Sequence, residues 1–366
     1  MSGKARILVV DDSAFSRQSL VDMLESDRDI EVVGTAKDGV EAIEKTVRLR
    51  PDIITLDLEM PGMDGFSFLR WMVKERPTPV IVVSTHGNAQ NVFKALDLGA
   101  LDFITKPSAK ALYELRLIRH ELLEKVKGMK GLRGEKFRIH RIFSKRSLRE
   151  DERQSSPLIP ADKDGNFGVV AIGASTGGPP AVLKILTMIP PDFSAGILIT
   201  QHMPKGFTAS FAESLNRVVQ IEVREASAGD IVESGKALIC PGDSHMALRK
   251  HGKRVSVILK HPRSEDRYTP SADVMMTSAA EHFGPMSIGV VLTGMGNDGK
   301  RGVVEIKEKG GYTIAESENT AVVFGMPHEA IKTGKVDRVL PLSEIPKEIV
   351  KVITGKKLGI WKKSSR

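Results

Sequence analysis

The amino-acid sequence predicts an α/β protein with two parallel β-sheets, each in a domain of its own. Apolar strand-like runs alternate with helical patterns over residues 1–124, and the same alternation begins again at Phe167. Successive strand–helix units are typical of doubly wound parallel sheets with helices on both faces. The 366 residues suffice for two such domains at about 150 residues each.

Five strand–helix units account for the first domain. Its helices are expected to begin at residues that cap helix N-termini and precede a stretch of 3.6-residue apolar periodicity. These cap residues are Ser13, Asp38, Asp64 and Asn88. The predicted strands are Ile7–Val10, Glu31–Ala36, Asp52–Leu56, Pro79–Ser84 and Asp102–Lys106. A five-stranded parallel sheet is the expected fold of this domain.

A larger sheet is predicted for the second domain, which we expect to be doubly wound and mostly parallel. The predicted strands are Phe167–Ile172, Ala195–Thr200, Ile221–Arg224, Ala237–Ile239, Ser287–Thr293 and Gly311–Ala315. The predicted helices are Pro180–Met188, Thr208–Asn216, Ser271–His282 and Gly299–Lys309. Met246–Arg249 and Val255–Leu259 have the pattern of an antiparallel hairpin.

Charge separates the folded parts of the chain from two basic segments. Net formal charge is −4 over residues 1–124, +6 over 125–166, zero over 167–350 and +6 over 351–366. The segment 125–166 also lacks sustained periodicity, although its first turn is expected to extend the fifth helix. We therefore predict a first domain at 1–124, a basic linker at 125–166, a second domain at 167–355 and a basic tail at 356–366.

The cysteine content and the hydropathy pattern bear on the cellular setting. Cys240 is the single cysteine, which excludes an internal disulfide framework and fits a reducing compartment. We expect it to be a small buried hydrophobe. No apolar run approaches the roughly 18 residues of a membrane span, so we expect a cytoplasmic protein without membrane insertion.

Charged and polar side chains follow four strands of the first predicted sheet. Asp11 and Asp12 come directly after the first strand, while Asp57, Ser84 and Lys106 end the third, fourth and fifth strands. The carboxyl ends of parallel strands meet at one edge of a sheet. Three carboxylates there suit Mg²⁺, and a carboxylate facing such a metal can accept a phosphoryl group. Any single aspartate could instead be a helix cap.

This set of residues resembles the receiver domain of two-component response regulators, with the flavodoxin-like fold. The resemblance covers about residues 5–122 and is carried by Asp11-Asp12, by Asp57 in LDLEMPGMDG, by Ser84 and by Lys106-Pro107. It implies that Asp57 is phosphorylated and that Asp11 and Asp12, with Asp57, hold Mg²⁺. It also implies that Ser84, Phe103 and Lys106 are switch residues.

A serine in the second domain lies where a strand turns into a helix. Gly173–Gly178 reads GASTGG and satisfies the pattern G-x-S-x-G, which exposes a nucleophilic Ser175 on a tight turn. A glycine-rich junction of this kind could equally bind phosphate at the helix N-terminus.

The positions of a histidine and an aspartate favour the nucleophile. His202 follows a buried strand, and Asp298 follows another in the turn GMGNDG. Ser175, His202 and Asp298 are therefore expected at the carboxyl ends of parallel strands, where a nucleophile, a base and an orienting carboxylate can meet. Solvated imidazoles are expected at His140, His245, His251, His261 and His328.

Three segments resemble the catalytic domain of the CheB family of chemotaxis protein-glutamate methylesterases, namely GASTGGP, TQHMP and LTGMGNDG. The resemblance covers about residues 167–350 and implies the triad Ser175, His202 and Asp298, with Thr176 and Met295 lining the pocket. Backbone N–H groups around Thr176 or Met295 are expected to stabilise the oxyanion. It implies a hydrolase that demethylates chemoreceptor glutamate γ-methyl esters, with possible glutaminase activity and no cofactor in the esterase site. Its implied partners are methyl-accepting chemoreceptors and a chemotaxis histidine kinase as phosphodonor, without nucleic acid.

Two other functions remain to be weighed. A receiver often precedes a DNA-binding domain, but zero net charge over 167–350 disfavours that class. A nucleotide-binding module would use Gly173–Gly178 but leaves His202 and Asp298 without a role. The charged segment Arg263–Pro270 is expected to be a solvated loop. We therefore predict an esterase that phosphorylation of Asp57 regulates.

Overall fold

A computed structural model describes residues 3–84, 89–106, 112–130, 132 and 168–357. These fall into two compact units, and the division between them lies inside the predicted linker, after residue 145. The linker from residue 133 to 166, the tail from 358 and the predicted cap Asn88 lie outside the described residues.

The first unit is a five-stranded parallel sheet with strand order β2-β1-β3-β4-β5. The strands are β1 Ala5–Val10, β2 Ile30–Ala36, β3 Ile53–Asp57, β4 Val80–Ser84 and β5 Asp102–Thr105. The helices are α1 Ala14–Glu25, α2 Gly39–Leu49, α3 Gly65–Glu75, α4 Ala89–Asp97 and α5 Leu112–Met129. The expected five-stranded fold is confirmed, and α5 runs past residue 125 as anticipated.

Side-chain caps start three of these helices. Ser13, Asp38 and Asp64 each accept a hydrogen bond from a backbone N–H three residues further on. This satisfies one of the N–H groups that a helix leaves unpaired at its start, which is why these residue types are favoured there. The three caps confirm the starts predicted for α1, α2 and α3.

Residues 168–357, the described part of the second unit, form nine strands. They are β6 Gly168–Ala174, β7 Ala195–Gln201, β8 Glu222–Glu225, β9 Lys236–Ile239, β10 His245–His251, β11 Arg254–Lys260, β12 Ser287–Val291, β13 Tyr312–Glu316 and β14 Arg338–Leu340. Its helices are α6 Gly178–Leu186, α7 Phe207–Asn216, α8 Ala272–Phe283, α9 Lys300–Glu308, α10 Met326–Ile331 and α11 Ile345–Lys357, with a 3₁₀ turn at Gly284–Met286.

Seven of these strands form one sheet in the order β14-β13-β12-β6-β7-β9-β8, and every pairing in it is parallel. The predicted hairpin is confirmed as β10 and β11, which pair with Met246 opposite Leu259. The short strand β14 and the helices α10 and α11 were not predicted from the sequence. β6 lies at the centre of the sheet between β7 and β12, so residues at its carboxyl end have a neighbouring strand end on each side.

The central strands are buried along their whole length and are mostly apolar. Every residue of β6, β7 and β12 is buried, as expected for parallel strands covered by helices on both faces. Within the described ranges, no helix combines the length and the apolar character needed to cross a membrane.

Candidate functional site

Ser175 follows the last residue of the central strand β6, on a turn that leads directly into α6. Its backbone N–H donates to the carbonyl of Thr293 at 3.0 Å, and its carbonyl accepts from Gly178 N–H at 2.7 Å. Gly178 is required here because a Cβ atom would lie 2.0 Å from the Gln201 side-chain oxygen. The turn thus holds Ser175 half-buried at the carboxyl edge of the sheet.

His202 is brought beside Ser175 by the register of two strands. Ala174 pairs with Gln201 in the parallel β6–β7 ladder, so the next residues along each strand are Ser175 and His202. The His202 backbone N–H donates to Ala174 carbonyl at 3.0 Å. The Gln201 amide donates to the carbonyls of Ser175 and His202 at 2.9 and 3.1 Å. These bonds fix the two strand ends to each other.

Asp298 reaches the same edge from the opposite side of β6. It lies in the turn after β12, and its Oδ2 is 2.7 Å from Nε2 of His202. Four further donors bind its carboxylate: the hydroxyl of Ser271 and the backbone N–H groups of Ala272, Asp273 and Gly299. Two of these N–H groups belong to the first turn of α8, where a carboxylate is favoured.

The electrostatics of Asp298 suit an orienting carboxylate. Burial by itself would raise the pKa of Asp298, but the hydrogen bonds and charge of His202 and the backbone N–H donors outweigh burial and leave the pKa below its ordinary value. Asp298 is therefore ionised at neutral pH and accepts a proton-bearing Nε2. His202 Nδ1 is then the ring nitrogen left to act as a base toward Ser175.

Two backbone N–H groups next to Ser175 are available to an oxyanion. Within the described chain, the N–H groups of Thr176 and Met295 have no hydrogen-bond acceptor. The Thr176 carbonyl accepts from the Thr293 hydroxyl at 2.9 Å, which braces the turn. The turn that carries Met295 lies against Ser175, since a Cβ atom on the preceding residue, Gly294, would lie 2.7 Å from the Ser175 Cβ. These positions agree with the pocket role predicted for Thr176 and Met295.

Residues 263–267 form the exposed loop that we expected, but Tyr268 is half-buried. The Tyr268 ring stacks on the His202 imidazole, with centroids 5.1 Å apart and planes inclined by 12°. His245, expected to be solvated, is instead buried, with its Nε2 2.9 Å from Oδ2 of Asp266. The sequence pattern predicts neither the Tyr268–His202 contact nor the Asp266–His245 contact. Each joins an irregular segment, which has no periodicity, to a residue in a strand or directly after one.

The acidic pocket of the first unit gathers the residues predicted for it. Carboxylate oxygens of Asp11, Asp12 and Asp57 lie within 4.8 Å of one another. Lys106 Nζ lies 2.9 Å from Asp11 Oδ2 and 2.6 Å from Asp57 Oδ2. Burial alone would lower the pKa of Lys106, but its contacts with the two carboxylates outweigh burial and raise it.

The donor set of this pocket fits a hard divalent cation. Burial raises the pKa of Asp11, and the neighbouring Lys106 only partly offsets the effect. Asp11 Oδ2 is buried, and the Lys106 Nζ at 2.9 Å supplies a cation beside it. Three clustered carboxylates, of which Asp12 is exposed, suit Mg²⁺, which retains water ligands.

The remaining predicted switch residues also lie near this edge. Ser84 ends β4, is buried, and its carbonyl accepts from the Lys106 N–H at 2.6 Å. Phe103 is buried in β5, against Phe93 with ring centroids 6.4 Å apart and with Lys125 Nζ 5.3 Å from its own centroid. Ser84 thus lies beside the acidic pocket, and Phe103 lies within β5.

Comparison with known proteins identifies both units. Residues 170–349 match the family model for the CheB methylesterase, and residues 7–116 match that for the response regulator receiver domain. The protein-glutamate methylesterase/protein-glutamine glutaminase 3 of Geobacter sulfurreducens is 45% identical, over 95% of this chain and 97% of the relative.

Two further relatives extend the likeness. A protein-glutamate methylesterase/protein-glutamine glutaminase of Pyrococcus horikoshii is 47% identical, over 96% of this chain and 95% of that protein. The crystal structure of the Thermotoga maritima CheB methylesterase catalytic domain has a TM-score of 0.50 and 39% identity, and covers 51% of this chain and 99% of that domain.

Proposed function

The chain belongs to the CheB methylesterase family, and we propose from that membership that it is a phosphorylation-regulated serine hydrolase. Its substrate is the glutamate γ-methyl ester of a chemoreceptor, which it converts to glutamate and methanol. The observation that carries the proposal is the hydrogen bond between His202 and Asp298 beside Ser175, at one edge of a parallel sheet. That constellation supplies the nucleophile, base and orienting carboxylate of acyl transfer.

Acylation begins at the Ser175 hydroxyl. Its Oγ attacks the ester carbonyl carbon while His202 Nδ1 removes the hydroxyl proton, and the carbonyl oxygen becomes an oxyanion. The resulting imidazolium is stabilised by the ionised Asp298, which holds Nε2. The tetrahedral intermediate then collapses: the bond to the methoxy oxygen breaks, His202 returns its proton to that oxygen, and methanol leaves. Ser175 is now esterified to the glutamyl side chain.

Deacylation repeats the same proton path with water. His202 Nδ1 takes a proton from water as the water oxygen attacks the acyl carbon. The second tetrahedral intermediate expels Ser175 Oγ, which recovers its proton from His202. The glutamate carboxylic acid is released and ionises in solution. The backbone N–H groups of Thr176 and Met295 bind the oxyanion in both halves, each donor contributing about 2.7–4 kcal/mol to transition-state stabilisation.

The same site would hydrolyse a glutamine side chain. An amide carbonyl presents the same carbon and oxygen to Ser175 and to the N–H donors, and His202 protonates the departing ammonia in place of methanol. The names of the relatives, which include protein-glutamine glutaminase, favour this second activity. Because an amine is a poorer leaving group than methanol, the deamidation should be slower.

The acidic pocket receives the regulatory phosphoryl group. Asp57 would attack the phosphorus of a phosphohistidine on a chemotaxis histidine kinase, and the kinase imidazole would leave. Bound Mg²⁺ would neutralise phosphoryl oxygens there, and Asp11, Asp12 and Asp57 would hold it. Lys106, already 2.6 Å from Asp57, supplies a cation beside the acyl phosphate, and Ser84 a hydroxyl for one of its oxygens.

The partners follow from the two sites. The esterase site needs a methylated chemoreceptor, and the acidic pocket needs a phosphodonor. The methylated part of the receptor and the phosphodonor both lie on the cytoplasmic side of the membrane in a two-component pathway, so we place the protein in the cytoplasm. The predicted division into a receiver at 1–124, a linker at 125–166, a catalytic domain at 167–355 and a tail at 356–366 is part of this proposal.

Methanol release from a methylated chemoreceptor tests the esterase assignment. The full-length protein should release methanol and generate free glutamate side chains, and Ser175→Ala should lower kcat by about 10⁴–10⁶. Ser214→Ala is the matched control, since it also removes one serine hydroxyl, from α7, where that hydroxyl bonds only the Phe211 carbonyl. Wild-type kcat in Ser175→Ala, or equal losses in both variants, would contradict the assignment.

A further inference from the structure

We propose that Tyr268 is a positioning residue for the esterase reaction, holding the His202 imidazole with its Nδ1 directed at Ser175. This inference rests on the function proposed above. The two rings lie nearly parallel, with centroids 5.1 Å apart and planes inclined by 12°. That is an offset-stacked geometry, which aromatic pairs favour.

Asp298 cannot fix the orientation of His202 without help. It holds the imidazole at a single atom, Nε2, at 2.7 Å. With Cβ and Nε2 both held, the ring can still rotate about the line that joins these two atoms, and that rotation carries Nδ1 away from Ser175. The His202 side chain is 16% exposed, so it is not fully enclosed by protein. A flat neighbour against one face removes this freedom, and Tyr268 is such a neighbour.

Tyr268 is itself fixed on the side of Asp298. Its hydroxyl donates to Asn297 Oδ1 at 3.1 Å and accepts from the Asn297 backbone N–H at 3.3 Å. Asn297 directly precedes Asp298. Tyr268 therefore stacks on His202 and is also hydrogen-bonded to the residue next to Asp298. Gly296 leaves the space for this approach: a Cβ atom there would lie 2.2 Å from the Tyr268 hydroxyl oxygen.

The segment that carries Tyr268 is anchored before and after it. Two residues earlier, Asp266 Oδ2 lies 2.9 Å from Nε2 of His245, a histidine that is only 4% exposed. Three residues later, the Ser271 hydroxyl donates to Asp298 Oδ1 at 3.0 Å. Asp266, Tyr268 and Ser271 each make a hydrogen bond to another part of the domain. The stacking of Tyr268 on His202 is therefore held in place by the surrounding structure.

Steady-state kinetics distinguish a positioning role for Tyr268 from a role in binding the receptor. A residue that orients the base changes the rate of the chemical step, whereas one that touches only the receptor surface changes binding. Loss of the stack should therefore lower kcat and leave KM nearly unchanged. A phenylalanine, which keeps the ring and loses only the hydroxyl bonds to Asn297, should preserve most of the effect.

The test measures kcat and KM for methanol release by the full-length protein, with Tyr268→Ala, Tyr268→Leu and Tyr268→Phe. We expect kcat to fall about 10- to 100-fold in the alanine and leucine variants, the size of effect produced by misplacing a catalytic group by about 1 Å. KM should stay near the wild-type value. Tyr268→Phe should restore kcat most of the way. Arg263→Ala is the control from the same segment, because its side chain is exposed and lies 3.9 Å from Glu265.

Each contrary result has a distinct meaning. Wild-type kcat in both Tyr268→Ala and Tyr268→Leu, with circular dichroism and thermal melts showing folded protein, would overturn the proposal. So would a rise in KM alone, which would make Tyr268 a receptor contact, or a phenylalanine variant as slow as alanine. Absence of methanol release from the wild type, with the same rate in Ser175→Ala, would instead overturn the proposed esterase function and this inference with it.

Discussion

His202 and Asp298 meet across the central strand of the sheet, with Nε2 of the imidazole 2.7 Å from Oδ2 of the carboxylate. In the chymotrypsin-type triad the carboxylate binds Nδ1 and the base is Nε2. Here the carboxylate binds Nε2, which leaves Nδ1 for the base role proposed above.

Asp298→Asn should lower kcat for methanol release by about 10⁴, as loss of the orienting carboxylate does in another serine hydrolase. An asparagine can present its NH₂ group to Nε2, which places the ring proton on Nδ1 and prevents it from accepting the Ser175 proton. Asp192→Asn is the matched control, since Asp192 is exposed in the turn between α6 and β7. Steady-state kinetics that show equal rates for wild type and Asp298→Asn would contradict the assigned role.

Removal of divalent cations should block phosphorylation of the acidic pocket without affecting the esterase site. With a chelator present, a small-molecule phosphodonor should no longer phosphorylate Asp57, because the carboxylates of Asp11, Asp12 and Asp57 are deprived of the Mg²⁺ that we propose they hold. Methanol release by the unphosphorylated protein should be unchanged. Phosphoprotein gels and methanol assays on the same samples measure both. If the chelator also stopped basal methanol release, the esterase site would need a metal that this account does not give it.

Glu316 should make the second unit less stable as pH rises. It is fully buried, and burial raises its pKa to about 7, against the lowering effect of its bonds to the Thr293 N–H and the Thr320 hydroxyl. The folded state therefore binds more protons than the unfolded state between about pH 4.5 and 7, and stability falls across that window. The predicted loss is about 2–3 kcal/mol.

Glu316→Gln should remove this dependence, because glutamine does not titrate. Urea unfolding of the two proteins at about pH 5 and about pH 8 measures it: the free energy of unfolding of the wild type should drop relative to Glu316→Gln by about 2–3 kcal/mol. Parallel curves with no such relative shift would show that Glu316 does not titrate in the folded state within that range.

Cys240 should have no part in catalysis. It is buried at the end of β9, its thiol donates to the Ser244 carbonyl at 3.3 Å, and burial raises its pKa to about 12. A thiol in this state is neither ionised nor accessible. Cys240→Ala should therefore keep wild-type kcat, and treatment of the folded protein with a thiol-alkylating reagent should leave methanol release intact. Activity lost in step with alkylation would make the cysteine, and not Ser175, the candidate nucleophile.

Local sequence signals were sufficient for much of the fold and the site. Ser13, Asp38 and Asp64 cap helices because their short side chains reach the N–H three residues on, a contact that spacing alone predicts. Ser175 and His202 lie at neighbouring strand ends, as the sequence predicts. The carboxyl ends of parallel strands meet at one edge of the sheet, so a polar residue that follows an apolar strand is expected at that edge.

Contacts that depend on irregular backbone escaped the same reasoning. Tyr268 and His245 bind partners far along the chain through a segment without periodicity, so neither strand nor helix pattern marks them. The choice of Nε2 for Asp298 depends on side-chain geometry that spacing does not contain. Strand β14 has only three residues and pairs with β13 alone, which is too short for a hydrophobic pattern.

The most direct test of the whole account measures methanol release from a methylated chemoreceptor by the full-length protein, with and without a small-molecule phosphodonor and Mg²⁺. The donor should raise the rate of the wild type and have no effect on Asp57→Asn, which should keep its basal rate. Ser175→Ala should release no methanol. A donor-dependent increase that persists in Asp57→Asn, or release that persists without Ser175, would contradict the account.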